Sequence, residues 1–333
     1  MRKILTLFAL FCFAGTLFAQ QDAMFSKYMF NSLTYNPAYA GAKDHMSIGL
    51  LHRTQWWGID GAPTTQSFAI HTPLRNERVG VGFNVVNDNI GPTNNFGANV
   101  SYAYRIPMGE TGKLSIGLQA GVENFRADWN ELNLNPDQGP DVAFADNPNM
   151  WLPNFGAGIY YYTKYFYAGA SVPHLVEYSL RDNANIETEL YARQYRHYYF
   201  TLGGAMPLNG DDLVFKPSML IKNIGLDRSL RKDEALQNVA APTEFEVDLS
   251  LLFYEAFWIG ASYRSSFQRF NGTSSDDSVD IWASYLLKNG LRIGAAYDYT
   301  ITKLQQPARG SFEVMLGYEF DYETKKTVTP RYF

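Results

Sequence analysis

Beyond residue 12 this chain of 333 residues contains no cysteine, and Cys12 itself lies inside an apolar N-terminal run. Disulfides, thiolate metal sites and cysteine nucleophiles are thereby excluded from everything after that run. Long hydrophobic stretches are also scarce. Past Ala19 none approaches the roughly 20 apolar residues that a membrane helix needs, so any membrane span has to be built from strands. Charged residues make up only 18% of the chain, and acidic side chains outnumber basic ones by 33 to 28. The basic patch that nucleic-acid binding demands is missing, so nucleic acid is not an expected partner. No Pro/Ser-rich or charged linker divides the chain, which therefore reads as one domain.

The apolar run that does exist is N-terminal. Arg2 and Lys3 precede Ile4 to Phe13, and Leu17-Phe18-Ala19 comes before polar Gln20 and Gln21. This is the layout of a secretory signal peptide over residues 1–19, removed before Gln20. A lipoprotein cleaved at Cys12 would need a small residue where bulky Phe11 stands.

Aromatics are plentiful, at 16%, and apolar residues are dispersed among polar ones. Strand-like alternation recurs in about fourteen segments: 45–55, 65–72, 78–87, 95–105, 112–125, 153–162, 165–172, 197–207, 213–223, 243–254, 257–265, 278–287, 291–301 and 310–320. Their lengths suit tilted membrane strands better than those of a soluble sheet. Val79, Val81, Phe83 and Val85 share one face, with Gly80, Gly82 and Asn84 on the other. Phe245, Val247, Leu249, Leu251 and Phe253 oppose Glu246, Asp248 and Ser250. Ile293, Ala295, Tyr297 and Tyr299 oppose Arg292, Asp298 and Thr300, and Phe312, Val314, Leu316, Tyr318 and Phe320 oppose Glu313 and Glu319. A secreted β-sandwich alternates in the same way. Small inward positions such as Gly117, Gly121, Gly156, Gly158, Gly294 and Gly317 suit a crowded lumen better. The expected fold is all-β, an antiparallel outer-membrane β-barrel over residues 45–320.

Link lengths point the same way. Links after even-numbered strands are short and those after odd-numbered strands mostly long, the asymmetry of periplasmic turns and surface loops. Parity puts residues 20–44 and the tail 321–333 on the periplasmic side. The inward set holds both signs: Arg105, Lys216, Lys222, Arg264 and Arg292 with Glu123, Glu246, Asp248, Asp280, Asp298, Glu313 and Glu319. A selective pore more often carries a ring of one sign. The expectation is a lumen filled by paired side chains and by part of Gln21 to Gly41.

That N-terminal stretch, QDAMFSKYMFNSLTYNPAYAG, follows neither period. It reads as a short helical or irregular segment over Met24 to Leu33, then a tight turn at Asn36 to Gly41, where Pro37 cannot donate to a ladder. Its rings need something to bury against. Together with RTQWWGIDGAPTT (Arg53 to Thr65) it resembles the opening signature of the PorP/SprF family of type IX secretion. The resemblance implies an outer-membrane protein that assists export or surface attachment of particular secreted proteins, such as large adhesins with a C-terminal sorting domain. It also implies contact with periplasmic secretion components and, in some relatives, service to gliding motility. The motif positions carried over as family or partner-binding residues are Tyr28, Phe30, Asn31, Tyr35, Asn36, Pro37, Tyr39 and Gly41, then Arg53, Gln55, Trp56, Trp57, Gly58, Gly61, Ala62 and Pro63. By themselves, Trp56 and Trp57 at a strand end read as ordinary anchors to outer-membrane lipid before they read as a binding site. A passive porin and a hydrophobic-substrate transporter are the competing readings.

Signals for chemistry are weak. Ser67 and His71 share a strand face, but no Gly-x-Ser-x-Gly elbow accompanies them, so neither a lipase nor any other enzyme is expected. His45, His52, His71, His174 and His197 are too scattered to imply a metal. Asp137, Asp141 and Asp146 lack EF-hand spacing and read as a solvated loop. No cofactor is expected.

Overall fold

The computed structural model describes residues 25, 27–43, 45–75, 77–131, 147–179, 193–224, 243–267, 276–301 and 309–320. The signal peptide with Cys12, the loop bearing Asp137, Asp141 and Asp146, and the tail 321–333 lie outside the described residues. No helix among the described residues is long and apolar enough to cross a membrane.

Seventeen strand segments occur among the described residues. They are β1 (Ser47–Thr54), β2 (Thr64–Pro73), β3 (Val79–Ile90), β4 (Thr93–Met108), β5 (Gly112–Ala127), β6 (Asn149–Tyr162), β7 (Phe166–Val172), β8 (Tyr178–Ser179), β9 (Arg193–Gln194), β10 (His197–Gly204), β11 (Met206–Asn209), β12 (Leu213–Ile224), β13 (Glu244–Phe253), β14 (Phe257–Ser266), β15 (Asp276–Leu286), β16 (Leu291–Thr300) and β17 (Ser311–Glu319). The pair β8 and β9 makes a small hairpin of its own. Segments β10 and β11 succeed one another along β12 and count as one wall strand. Closure comes from β1 pairing with β17, while β10 bridges β7 and β12. The result is a closed antiparallel barrel of fourteen strands, as the alternation implied.

The faces follow the period of two. Outward positions such as Val100, Leu118, Leu249 and Ile281 are exposed. The alternate positions are buried polar groups, among them Asn84, Ser101, Ser115, Asp248, Asp280 and Glu313. Apolar outside and polar inside is the inverse of a soluble protein and suits a wall that faces lipid.

Some boundaries depart from expectation: β6 begins at Asn149 instead of 153, and the link between β3 and β4 shrinks to two residues. Asp88 to Asn94 reads as a link because Asn and Asp are poor strand formers, yet the β3–β4 ladder continues through Asn89 opposite Asn94 and Ile90 opposite Thr93. Gly91, at φ 52°, lets a two-residue turn with Pro92 close that hairpin. The other links at this end are longer. Those at the opposite end, including Gly109–Thr111 and Tyr254–Ala256, are tight.

The segment Phe25–Ala42 lies inside the barrel. It forms short helical turns at Tyr28–Phe30, Ser32–Tyr35 and Pro37–Tyr39 instead of one helix, broken at Asn31 where φ is −131°. It enters at the short-link mouth, where Lys43 meets Glu319, and reaches Phe25 beside Lys222 and Glu244 near the long-link end.

Candidate functional site

The lumenal plug is fastened to the wall by its own irregular backbone. Its carbonyls are satisfied by inward side chains: Ser171 Oγ donates to Tyr35 O (2.7 Å), Ser115 Oγ to Ala38 O (2.6 Å), and the Arg105 guanidinium to Gly41 O. Asn36 does two jobs. Its Oδ1 accepts from Ala38 N (2.9 Å), capping the Pro37 turn, while its Nδ2 donates to Ile159 O on β6 (3.0 Å). Gly41 holds φ at 67°, a conformation that suits glycine.

Close approach depends on missing side chains in the wall. A Cβ on Gly117 would collide with the backbone of Pro37 and Ala38, and one on Gly80 with Ala40. Gly117→Leu is therefore expected to unseat the plug while leaving the outward face of β5 unchanged. The check is maleimide labelling of Ala38→Cys in folded protein: no labelling in the Gly117 background, and rapid labelling with Gly117→Leu. Protection in both would show that the plug tolerates the clash.

Rings from the plug interleave with rings of the wall. Tyr39 stands edge-on to Tyr160 (5.4 Å between centroids) and to His71 (5.2 Å), Tyr35 lies 5.0 Å from Tyr199, and Phe30 lies 5.1 Å from Trp258 and 5.5 Å from Trp282. Each such pair contributes about 0.5–1.5 kcal/mol beyond its buried area.

The charges form one network. Register places Asp248 opposite Ser262, Ser262 opposite Asp280, and Asp280 opposite Asp298, a row across the four neighbouring strands β13–β16. Like charges facing each other across a ladder repel. Lys27 of the plug, wholly buried, answers part of this row: its Nζ donates to Asp280 (2.7 Å) and Ser262 (2.6 Å) and lies 3.6 Å from Glu246 and 3.8 Å from Asp248. Burial works against this ammonium, and the surrounding carboxylates of Glu246, Asp280 and Asp248 offset that cost. Arg53, 1% exposed on β1, answers the rest through Asp298 (2.6 Å) and Glu313 (3.4 Å). Arg264 completes the set against Glu246 (2.9 Å).

The expected motif residues thus separate into two places. Tyr28, Asn31, Tyr35, Asn36, Pro37, Tyr39 and Gly41 are buried in the plug, Phe30 is partly buried there, and Arg53 is a lumenal ion-pair residue. Tyr35 and Tyr39, carried over by resemblance as partner-binding candidates, are enclosed. The stretch from Gln55 to Pro63 stays at the mouth and is pinned on both sides. Trp57 N donates to Gly310 O (2.8 Å), Gly91 N to Gly61 O (2.8 Å), and Gln55 N to Pro63 O (2.9 Å). Trp56, Gly58 and Gly61 all take positive φ, and Ala62 N bonds back to Ile59 O. Trp57 is 53% exposed and rests edge-on against outward Phe312.

Sequence reasoning passed over Lys27. The available signal was that it is the only Lys or Arg between Gln21 and Gly41, facing an inward set richer in acids than bases. Ser67 and His71 are spent on the plug, accepting from Asn31 Nδ2 and Gly41 N. Among the described residues no cluster of metal-ligating side chains occurs.

The sequence matches the family described as type IX secretion system membrane protein PorP/SprF over residues 17–318, plug and barrel together. The chain belongs to the PorP/SprF family. It is thus an outer-membrane component of the type IX secretion system, crossing the membrane many times as a β-barrel. No curated protein matches it. Solved barrels resemble it at low identity. The Ralstonia pickettii toluene transporter TbuX is 12% identical with a TM-score of 0.50, over 87% of this chain and 93% of that one. A Pseudomonas aeruginosa FadL homologue is 13% identical at 0.44, over 87% and 94%. The Acinetobacter baumannii outer membrane protein Omp33 is 9% identical at 0.41, over 84% and 100%. For this PorP/SprF chain the likeness concerns the fold.

Proposed function

We propose that this PorP/SprF barrel is a closed platform that assists export or surface attachment of one or a few large secreted proteins, not a diffusion channel. The observation carrying this reading is the plug, whose Lys27, Tyr35 and Tyr39 are built into the wall from Phe25 to Ala42. A residue set spent on filling a lumen serves no solute passing through it. In this reading the short links face the periplasm, where other type IX components meet the short-link mouth. The pinned loop with Trp56 and Trp57 faces outward and offers the secreted protein, with its C-terminal sorting domain, a rigid aromatic anchor of the kind that concentrates binding energy.

The test is a surface proteome of cells lacking the protein and of cells carrying Trp56→Ala with Trp57→Ala. The deletion should abolish display of one or a few large proteins while nutrient uptake and bulk secretion continue. The tryptophan variant should reproduce that loss at normal barrel abundance. Unchanged display of every large secreted protein would sink the platform reading. A fall in barrel abundance would make the tryptophans lipid anchors instead.

A further inference from the structure

Beneath the plug, at the short-link mouth, lies a cavity of about 430 Å³ that neither the plug nor the ion network uses. Its floor is the underside of the plug, including Phe30 and Leu33, and its walls include Leu51, Leu252, Trp258 and Met315. Its rim is cationic. Lys43 and Arg292 converge on the single carboxylate of Glu319, at 3.2 and 3.4 Å, and His45 stands 3.7 Å from the same group. The other carboxylate lining the cavity is Glu255, on the β13–β14 turn. Arg292 spends Nη2 on Glu319, while its Nη1 is buried without a hydrogen-bond partner among the described residues. A guanidinium presents a planar fork suited to two carboxylate contacts, and a buried donor left unmatched is costly. The size lies within the range of small-molecule and peptide-end sites, and an apolar chamber with a few convergent polar groups is their usual form.

We propose that this cavity binds an apolar carboxylate: an apolar group seated among Leu33, Leu51, Trp258 and Met315, with its carboxylate on Arg292 and Lys43 beside Glu319. The chemistry is shared by the carboxylate end of a peptide finishing in large apolar residues and by a medium-chain fatty acid. The closed ring of wall strands leaves the short-link mouth as the approach.

Isothermal titration of the full mature chain in lipid nanodiscs, with empty nanodiscs as the blank, tests this. The probes are N-acetyl-Leu-Phe and octanoate, each against its carboxamide. At least one acid should bind about tenfold or more tightly than its amide, the scale of one charge-assisted hydrogen bond. Arg292→Gln should remove that preference, and Leu51→Trp should block binding of acid and amide alike. Binding of the dipeptide alone assigns a chain end, and binding of octanoate alone assigns an acyl chain. Failure of both acids to bind, equal binding of acid and amide, or an undiminished preference in Arg292→Gln would overturn the proposal. Heat-modifiable mobility verifies that each variant is folded. Lys43→Gln provides a second test of the charge: it keeps a hydrogen-bonding side chain of similar length and should weaken acid binding while sparing the amide.

Discussion

Deleting residues 25–41 is expected to convert a barrel that conducts poorly into a wide, cation-selective channel. A ring of fourteen strands is intermediate between small barrels that side chains fill and the larger porins that hold a water channel, so the plug decides whether this lumen is open. With Phe25 to Gly41 gone, the rings of Tyr160, Tyr199, Trp258 and Trp282 lose the plug rings packed on them. The row Asp248, Ser262, Asp280 and Asp298 then faces water without Lys27. Hydration relieves the cost of leaving those carboxylates charged, and their field attracts cations. Planar-bilayer recording in a salt gradient gives both readouts: a large rise in conductance over the intact protein, and a reversal potential of the cation-selective sign. An unchanged small conductance would mean that wall side chains alone close the lumen. Anion selectivity would mean that Arg53, Arg105 and Arg264 govern its field. A large, steady conductance of the intact protein would favour the porin reading.

Arg53→Met should be the most destabilising single change in the barrel wall. Arg53 lies directly opposite Glu313 in the β1–β17 ladder and reaches Asp298 on the next strand, so it ties the two ends of the chain's barrel together. Removing one partner of a buried ion pair costs about 3–5 kcal/mol, because the remaining charges stay buried and unanswered. Here Arg264, 3.8 Å from Asp298, compensates in part, which favours the lower half of that range. The measurement is the urea midpoint of folded protein in lipid vesicles, read by heat-modifiable mobility. Adding Asp298→Asn and Glu313→Gln to Arg53→Met should recover much of the loss, since neutral partners no longer need the cation. Lys27→Met should behave differently: it loosens the plug while the wall keeps its ladder. If Arg53→Met leaves the midpoint unchanged, the network adds nothing to barrel stability.

Much of this architecture is legible along the chain, for a physical reason. An Arg or Lys on the lipid side of a strand costs about 2–4 kcal/mol near the bilayer midplane, and an Asp or Glu costs less but is still disfavoured, so a period of two with the charges on one face leaves one register available. Glu246 and Asp248 on β13, or Glu313 on β17, had only the lumen to point into, and they are buried there. The fourteen spans follow from the same alternation, down to Gly112 at the start of β5 and Leu213 at the start of β12. Asp88 to Asn94 escaped because polar residues inside a ladder look like a link until the opposing strand is known.

That the aromatic N-terminal stretch has to be buried is also readable from its residues, since its rings exceed what an irregular exposed segment can leave in water. The path it takes is not. Phe25 to Gly41 has no period from which a path can be read, and its conformation is set by wall groups more than a hundred residues away, such as Ile159 O for Asn36 and Ser171 for Tyr35. The pairing of Lys27 with Asp280 spans 253 positions and that of Arg53 with Glu313 spans 260. Alternation says that such side chains share a lumen, but which of them touch depends on strand register around a closed ring, and that is fixed only when β1 meets β17.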